Sequence, residues 1–236
     1  MVLLIAEEGP LRTAIESELR EAGIPTQVAP VDHDDLWLAA KGHEAVVYLP
    51  AGSLLDGHLA PTPDPTRMDE VLGAAGAPGV EVVVPVFPLG EAWNAEMDVM
   101  KRHGRPYAAL RAHPLLEEIA ELVPADARTL LLPRVGNAAY CRAATVATAV
   151  REAVHTEQQG RVSEVETESS DVAALVQRAA EAMQAPVRVR ALWPWLFRLA
   201  RPLFRWLRRR EAQLLEALGR LVPELVEPRP ALPARR

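Results

Sequence analysis

The chain has 236 residues, of which 49% are hydrophobic, and this composition predicts one sizeable folded core rather than two. A single cysteine, Cys141, excludes an internal disulfide bond. The chain does not begin like a secretory signal, and no stretch of eighteen apolar residues is free of charge. We therefore predict a cytoplasmic protein without a membrane-spanning helix, and we leave association with a membrane surface open.

The net charge of −6 is distributed unevenly along the chain. Residues 186–236 contain 12 Arg and 4 Glu, a net charge of +8, whereas residues 1–185 carry 14 basic and 28 acidic side chains, a net charge of −14. An acidic body argues against nucleic acid as the main ligand. The basic C-terminal part can contact an anionic surface or partner.

The first 23 residues have the pattern of a strand, a turn and a helix. An apolar run covers Val2 to Ala6, a turn is expected at Gly9-Pro10, and an amphipathic stretch extends to Gly23. This order is typical of the opening of a Rossmann-type unit. In such a unit, glycines let the backbone approach a pyrophosphate that binds at the positive end of the helix.

The glycines of such a turn are largely replaced in this chain. Ala6, Gly9 and Arg12 occupy the three glycine positions, and Glu7 and Glu8 place two carboxylates where an anion would bind. These replacements predict that the Rossmann-type fold is preserved but that its cofactor site is degenerate. On this basis we expect no bound cofactor and only weak or absent binding of NAD or NADP.

Strand and helix patterns alternate along the rest of the chain. In order, we predict a strand at 26–29, a helix capped by 32–35 and reaching 41, a strand at 44–50, a proline-rich loop, a helix at 66–75, a strand at 80–86, a helix at 91–103, a strand at 106–111, a helix at 115–122, a strand at 129–132, a helix at 142–154, a strand at 161–166 and a helix at 170–183. This alternation predicts an α/β fold, a Rossmann-like doubly wound parallel sheet with helices on both faces.

Five segments carry a resemblance to a known family. They are Ala45-Val-Val-Tyr-Leu-Pro50, Gly79-Val-Glu-Val-Val-Val-Pro85, Gly104-Arg-Pro-Tyr-Ala-Ala-Leu-Arg111, Thr145-Val-Ala-Thr-Ala-Val150 and Gly160-Arg-Val-Ser-Glu-Val165. In this order they resemble the extended and atypical short-chain dehydrogenase/reductase superfamily, especially its epimerase-like and NmrA-like branch. The resemblance covers residues 1–190 and implies a fold built to bind NAD(P). The altered glycines make this chain a degenerate member.

The catalytic pair that the resemblance implies is absent from the sequence. The chemistry of the superfamily needs a tyrosine four residues before a lysine, because the lysine lowers the pKa of the phenol that moves the proton. The only lysines are Lys41 and Lys101, and Met97 stands four residues before Lys101. We therefore assign no catalytic residue, and the sequence favours a protein that is not an enzyme.

Other polar residues are interpreted as structural. Adjacent residues rarely converge on one ion, so Asp32 to Asp35 are predicted to cap a helix rather than to bind a metal. Cys141 is predicted to be a buried thiol. Surface or capping roles are predicted for four histidines, which are His58, His103, His113 and His155.

A basic, aromatic C-terminal segment is the strongest positive feature of the sequence. At about 100° per residue, one face of a helix collects four arginines and Trp206 lies on the apolar side; the arginines are Arg198, Arg201, Arg205 and Arg208. Such a helix can pack on its own domain, lie on an anionic membrane or dock to another protein. We assign 1–190 to the Rossmann-like domain, 191–225 to a helical extension and 226–236 to a disordered tail.

These observations favour a non-catalytic scaffold, sensor or accessory subunit. It would bind a protein partner, a larger complex, a second copy or a small ligand through its C-terminal helices and a degenerate pocket, whose candidate residues are Ala6, Gly9, Arg12, Leu49 and Pro50. One alternative is an NAD(P)-binding, epimerase-like enzyme of the same superfamily. A second alternative is a peripheral membrane protein anchored by its basic helix.

Overall fold

The structure of the protein is a computed structural model, which describes residues 1–124, 129–133, 136–155, 160–192 and 217–222 together with Leu214. In chain order its elements are β1 (Val2–Ile5), α1 (Pro10–Glu21), β2 (Thr26–Ala29), α2 (Leu36–Ala40), β3 (Ala45–Tyr48), α3 (Leu54–Leu59), α4 (Pro65–Ala74), β4 (Val82–Pro88), a single 3-10 turn (Glu91–Trp93), α5 (Asn94–His103), β5 (Ala108–Ala112), α6 (Leu116–Glu121), β6 (Thr129–Pro133), β7 (Asn137–Tyr140), α7 (Ala143–Val154), β8 (Arg161–Glu164), β9 (Glu168–Asp171), α8 (Val172–Ala182) and β10 (Arg188–Leu192).

The described residues form two compact units. The first consists of Met1–Glu118 and Tyr140–Thr167, and the second consists of Ile119–Ala139 and the chain from Glu168 onward. Each unit is therefore built from two separate stretches of the chain. The domain boundaries expected from the sequence stay predictions.

A six-stranded parallel sheet forms the first unit, with the strand order β2-β1-β3-β4-β5-β8. Val2 at the start of β1 pairs with Thr26 of β2 on one side and with Ala45 of β3 on the other. The chain thus runs outward from β1 to β2 and then crosses back to β3, so the strand order reverses between β1 and β3. This arrangement confirms the predicted Rossmann-like α/β fold.

Both faces of the sheet are covered by apolar side chains. Leu4 and Val47 pack on the face that carries α1 and α7, whereas Leu3 and Val46 pack on the face that carries α2, α4 and α5. Every residue of β1, β3 and β4 is buried. Strands buried on both faces read as continuous apolar runs, which is why these three strands could be predicted from the sequence.

Helix α3 lies where the sequence predicted a proline-rich loop, so that prediction was wrong at this point. The Ser53 side chain accepts a hydrogen bond from the Asp56 amide and caps the helix. Leu54 and Leu55 are buried. The prolines at 61, 63 and 65 follow the helix, and Pro65 begins α4.

The second unit contains two small sheets among the described residues. In the first, β6 and β10 run parallel, with Thr129 opposite Arg188. In the other, β7 pairs with β9. Helix α8 begins after Asp171, whose side chain accepts a hydrogen bond from the Ala174 amide. The predicted strand at 129–132 and helix at 170–183 are thus present, while β7, β9 and β10 were not predicted.

The C-terminal residues singled out by the sequence lie outside the described residues, and they are Arg198, Arg201, Arg205, Trp206 and Arg208. Their role stays a prediction. Among the described residues, no helix combines the length and apolar character needed to cross a membrane.

Candidate functional site

The carboxyl edge of the sheet, where the parallel strands end, places several predicted site residues together. Ala6 follows β1 directly and its amide donates to the Ala29 carbonyl at 3.0 Å, while the Leu49 amide donates to the Ile5 carbonyl at 3.0 Å. Ala6 and Leu49 are buried, and Pro50 is half-buried next to Leu49. In open α/β sheets, ligands bind at the carboxyl edge where the strand order reverses. Here this is the position between β1 and β3.

Gly9 brings the turn between β1 and α1 close to the loop after β3. It precedes α1, and no side chain caps the helix at this residue. A Cβ atom at Gly9 would lie only 3.3 Å from the Gly52 carbonyl oxygen. The first amides of a helix have no partner within the helix, and they form a natural site for an anion. Pro10 lacks an amide proton, so Leu11 and Arg12 supply the first backbone donors of α1.

The acidic residues of this turn are exposed. The Glu7 carboxylate lies 3.4 Å from the Val31 amide, so its side chain extends from the turn toward the end of β2. Glu8 is also exposed. The Arg12 Nε donates to Glu16 at 2.7 Å, which ties this predicted site residue to its own helix. The turn therefore offers backbone donors and small side chains, with two carboxylates at its rim.

A second group of polar residues lies at the ends of β4 and β5. The Nδ1 atom of His58, on α3, is 2.9 Å from the carbonyl oxygen of Leu89, the residue after β4. The Arg111 guanidinium donates to the neighbouring Gly90 carbonyl at 3.0 Å. The two side chains come from different elements and hold the same two-residue loop.

His113 follows β5 and is electrostatically coupled to His58. Burial and the charge of His58 lower the pKa of His113, and the Glu164 carboxylate at the end of β8 raises it. Both imidazoles are half-buried. Surface or capping roles were predicted for these histidines, because no local spacing in the sequence connects α3 to the end of β5. Only the order of the strands brings them together.

Glu118 stabilises the start of α3, the helix that contains His58. Its buried carboxylate accepts hydrogen bonds from the amides of Leu54 and Leu55, both at 2.8 Å, and from the Leu115 amide at 3.2 Å. Burial raises the pKa of Glu118, and these three hydrogen bonds lower it. A carboxylate at the start of a helix satisfies amides that the helix itself leaves unpaired. Glu118 therefore positions His58, one turn further along α3.

The remaining polar residues considered in the sequence were predicted to have structural roles. The Asp35 side chain accepts from the Leu38 amide and caps α2, as the sequence predicted. Cys141 is buried, also as predicted, and its thiol lies 3.4 Å from the Glu166 carbonyl. Within the described ranges, no group of three His, Cys, Asp or Glu residues is placed to hold a metal ion.

The fold is shared with known nucleotide-dependent enzymes. No protein-family model and no curated protein sequence matches the chain. Among solved structures, it is similar to a nucleoside-diphosphate-sugar epimerase from Staphylococcus aureus, with 15% identity, a TM-score of 0.60 and coverage of 97% of this chain and 92% of the other. It is also similar to triphenylmethane reductase from Citrobacter sp. in complex with NADP(H), with 12% identity, a TM-score of 0.62 and the same coverage.

A third similar structure is the NADPH-dependent quinone oxidoreductase of Escherichia coli in complex with NADPH. It is 18% identical, with a TM-score of 0.62, and the match covers 94% of this chain and 88% of the other. At these identities the likeness establishes the fold. The three similar structures are thus an epimerase, a reductase and an oxidoreductase, and the last two are in complex with NADP(H) and NADPH.

These neighbours correct the expectation that the chain has no cofactor, which was wrong. That expectation depended on the side chains at Ala6, Glu7, Glu8 and Arg12, whereas a helix start binds a diphosphate mainly through backbone amides and through its place in the sheet. Both of these features are kept in the fold. Side-chain identity at three glycine positions was therefore not a sufficient reason to exclude a dinucleotide.

Proposed function

We propose that the protein binds NAD(H) or NADP(H) at the carboxyl edge of the sheet, between β1 and β3, and acts as a reductase or epimerase-like enzyme. The observation that carries this proposal is the uncapped start of α1 at the point where the strand order reverses. Structures of the same fold in complex with NADP(H) and NADPH support it. The scaffold and membrane-anchor functions stay predictions.

The residues around the turn fit a dinucleotide in shape. Gly9 and Gly52 have no side chains and are not buried, which leaves their backbone accessible, and the Leu11 and Arg12 amides supply donors for phosphate oxygens. Half-buried Pro50 follows β3 at the same edge of the sheet, whereas Ala6 and Leu49 are buried. A nicotinamide dinucleotide, when bound, supplies or accepts a hydride.

The negative charges of Glu7 and Glu8 in this turn oppose the binding of a diphosphate. Glu7 and Glu8 are exposed, so water screens their repulsion of a diphosphate. Two unit charges 4 Å apart in water interact by only about 1 kcal/mol. The carboxylates therefore weaken binding by a modest factor.

Isothermal titration calorimetry with NAD+, NADH, NADP+ and NADPH tests the proposal. Wild type should bind at least one of them, and Gly9→Ala should weaken that binding about tenfold, because the new methyl group lies against the Gly52 carbonyl and covers the backbone. Gly73→Ala is the matched control, since an added Cβ at exposed Gly73 meets no other atom within 4 Å. Absence of heat with all four nucleotides at millimolar concentration would overturn the proposal.

A further inference from the structure

The superfamily that the sequence resembles would need a tyrosine and a lysine for proton transfer, and this chain lacks that pair. Instead, the His58 ring binds the carbonyl of Leu89, the residue directly after β4, and the Leu89 amide donates to the carbonyl of Ala112 at 2.8 Å, next to His113. We propose that His58 is the proton-transfer residue of this site, with His113 as its proton partner, for a substrate that interconverts a carbonyl and an alcohol. This inference rests on the proposed function.

The hydrogen bond of His58 defines which of its nitrogen atoms is available. A carbonyl oxygen can only accept, so the Nδ1 atom facing the Leu89 oxygen at 2.9 Å carries the hydrogen. In the neutral ring the lone pair is then on Nε2. Nε2 has no hydrogen-bond partner among the described residues. The ring is thus oriented by a backbone bond and presents an unoccupied basic nitrogen, which is the usual geometry of a histidine base.

His113 has no hydrogen-bond partner among the described residues either, and its ring is half-buried. Two imidazolium charges close together repel each other, so a charge on His58 disfavours a proton on His113. The charged groups at the neighbouring strand ends are Arg111 on β5 and Glu164 on β8. Glu164 favours a proton on His113 and Arg111 is bonded to Gly90.

The position of the pair agrees with the proposed chemistry. His58 and Arg111 hold the adjacent carbonyls of Leu89 and Gly90, directly after β4. Side chains at the carboxyl ends of parallel strands are the ones that meet a ligand in this type of sheet. A substrate carbonyl bound here would lie beside an imidazole, and the Arg111 guanidinium stabilises negative charge on a nearby oxygen.

The proton step is simple in both directions. When a substrate carbonyl carbon gains a hydride from reduced nicotinamide, its oxygen would gain one proton from Nε2 of the His58 imidazolium, and a hydroxyl group and a neutral imidazole would result. The Nδ1 atom keeps its hydrogen and its hydrogen bond to the Leu89 carbonyl throughout. In the opposite direction, the hydroxyl group would return its proton to Nε2 while its carbon loses a hydride to oxidised nicotinamide.

Nuclear magnetic resonance titration of isotope-labelled histidine in the full chain tests this inference without a known substrate. Oxidised nicotinamide carries one more positive charge than the reduced form, so it lowers the pKa of an imidazole close to it. We expect the Nε2 chemical shift of His58 at constant pH to differ between the NADP+ and NADPH complexes. The Nε2 chemical shift of the exposed His103 should be the same in both complexes.

His58→Asn provides the second measurement. The asparagine amide can still donate to the Leu89 carbonyl, so the loop is kept while the titrating group is lost. We expect nucleotide affinity within twofold of wild type, and a higher pKa of His113 because the charge of His58 is gone. If this variant does not fold, His58→Gln serves the same purpose, and the wild-type titration is independent of both.

The outcomes separate this inference from the proposed function. Nucleotide binding by calorimetry with an identical Nε2 chemical shift of His58 in the NADP+ and NADPH complexes would overturn the role of His58 and leave the proposed function standing. An unchanged pKa of His113 in His58→Asn would overturn the pairing. No binding of any nucleotide would overturn the proposed function itself.

Discussion

At the residue scale, the buried carboxylate of Glu118 stabilises the start of α3 at the candidate site. It accepts amide hydrogen bonds from Leu54 and Leu55 at the start of α3 and from Leu115 before α6. Each of the first two amides faces a different carboxylate oxygen. An amide group cannot accept at both positions, so a glutamine here would place an NH2 group against a backbone N–H.

We therefore predict that Glu118→Gln lowers the free energy of unfolding by about 1–3 kcal/mol, as urea denaturation followed by circular dichroism would measure. Glu121→Gln is the matched control, because Glu121 lies on the same helix and is exposed. It should change stability by less than about 0.5 kcal/mol. Equal stability of the two variants would contradict the structural role of Glu118.

At the element scale, Glu96 connects α5 to the start of α4. Its Oε1 accepts from the Asp64 amide at 2.6 Å, and Oε2 is buried without a hydrogen-bond partner among the described residues. Burial raises the pKa of Glu96, the hydrogen bond from the Asp64 amide lowers it and the nearby Asp64 charge raises it, so that the pKa is about 7 in total. The folded protein therefore keeps this side chain protonated at pH values where the unfolded chain has lost the proton.

This shift predicts a stability that falls as the pH rises. Below pH 4.5 both states are protonated; between 4.5 and about 7 only the folded state holds the proton, so the free energy of unfolding decreases, by up to about 3 kcal/mol in total. Glu96→Gln should remove this part of the pH dependence in urea titrations at pH 5 and pH 8. The exposed Asp98→Asn on the same helix should keep it. Identical pH dependence in Glu96→Gln and wild type would contradict the assignment.

At the scale of the whole molecule, residues far along the chain complete the folded structure. Leu214 and Leu218 are 1% exposed, and the Val222 amide donates to the Leu218 carbonyl at 2.9 Å. We predict that Leu218→Ala costs about 2–5 kcal/mol and lowers the thermal unfolding midpoint. Exposed Leu38, changed to alanine, is the control and should cost far less. A midpoint like that of wild type in Leu218→Ala would show that residues 217–222 add little to the folded core.

The prediction of elements from the sequence succeeded where the signal was local. Strands β1, β3 and β4 are continuous apolar runs, and the cap of α2 depends on a side chain three residues from the amide it binds. Helix α3 was missed because its first amides bind a carboxylate 63 and 64 residues away. Strand β10 was missed because its partner, β6, lies far from it in the chain.

The same distinction between local and long-range signals applies to the residues of the candidate site. Ala6, Gly9, Leu49 and Pro50 could be placed from the amino-acid pattern, because each lies within four residues of the end of a strand that is recognisable by itself. The same pattern gave the wrong result for the cofactor. Replacing a glycine changes the side chain at that position but does not remove the backbone amides that bind a phosphate. The start of α1 keeps those amides in place.

By itself the sequence determined the alternation of strands and helices, the Rossmann-like class and the absence of a tyrosine–lysine pair, because residue types, their order and their spacing decide these properties locally. Only the tertiary structure decided that His58 lies at the end of β4 and is coupled to His113. Parallel strands become neighbours through long crossovers, so residues at their ends meet according to the strand order and not according to their distance in the chain.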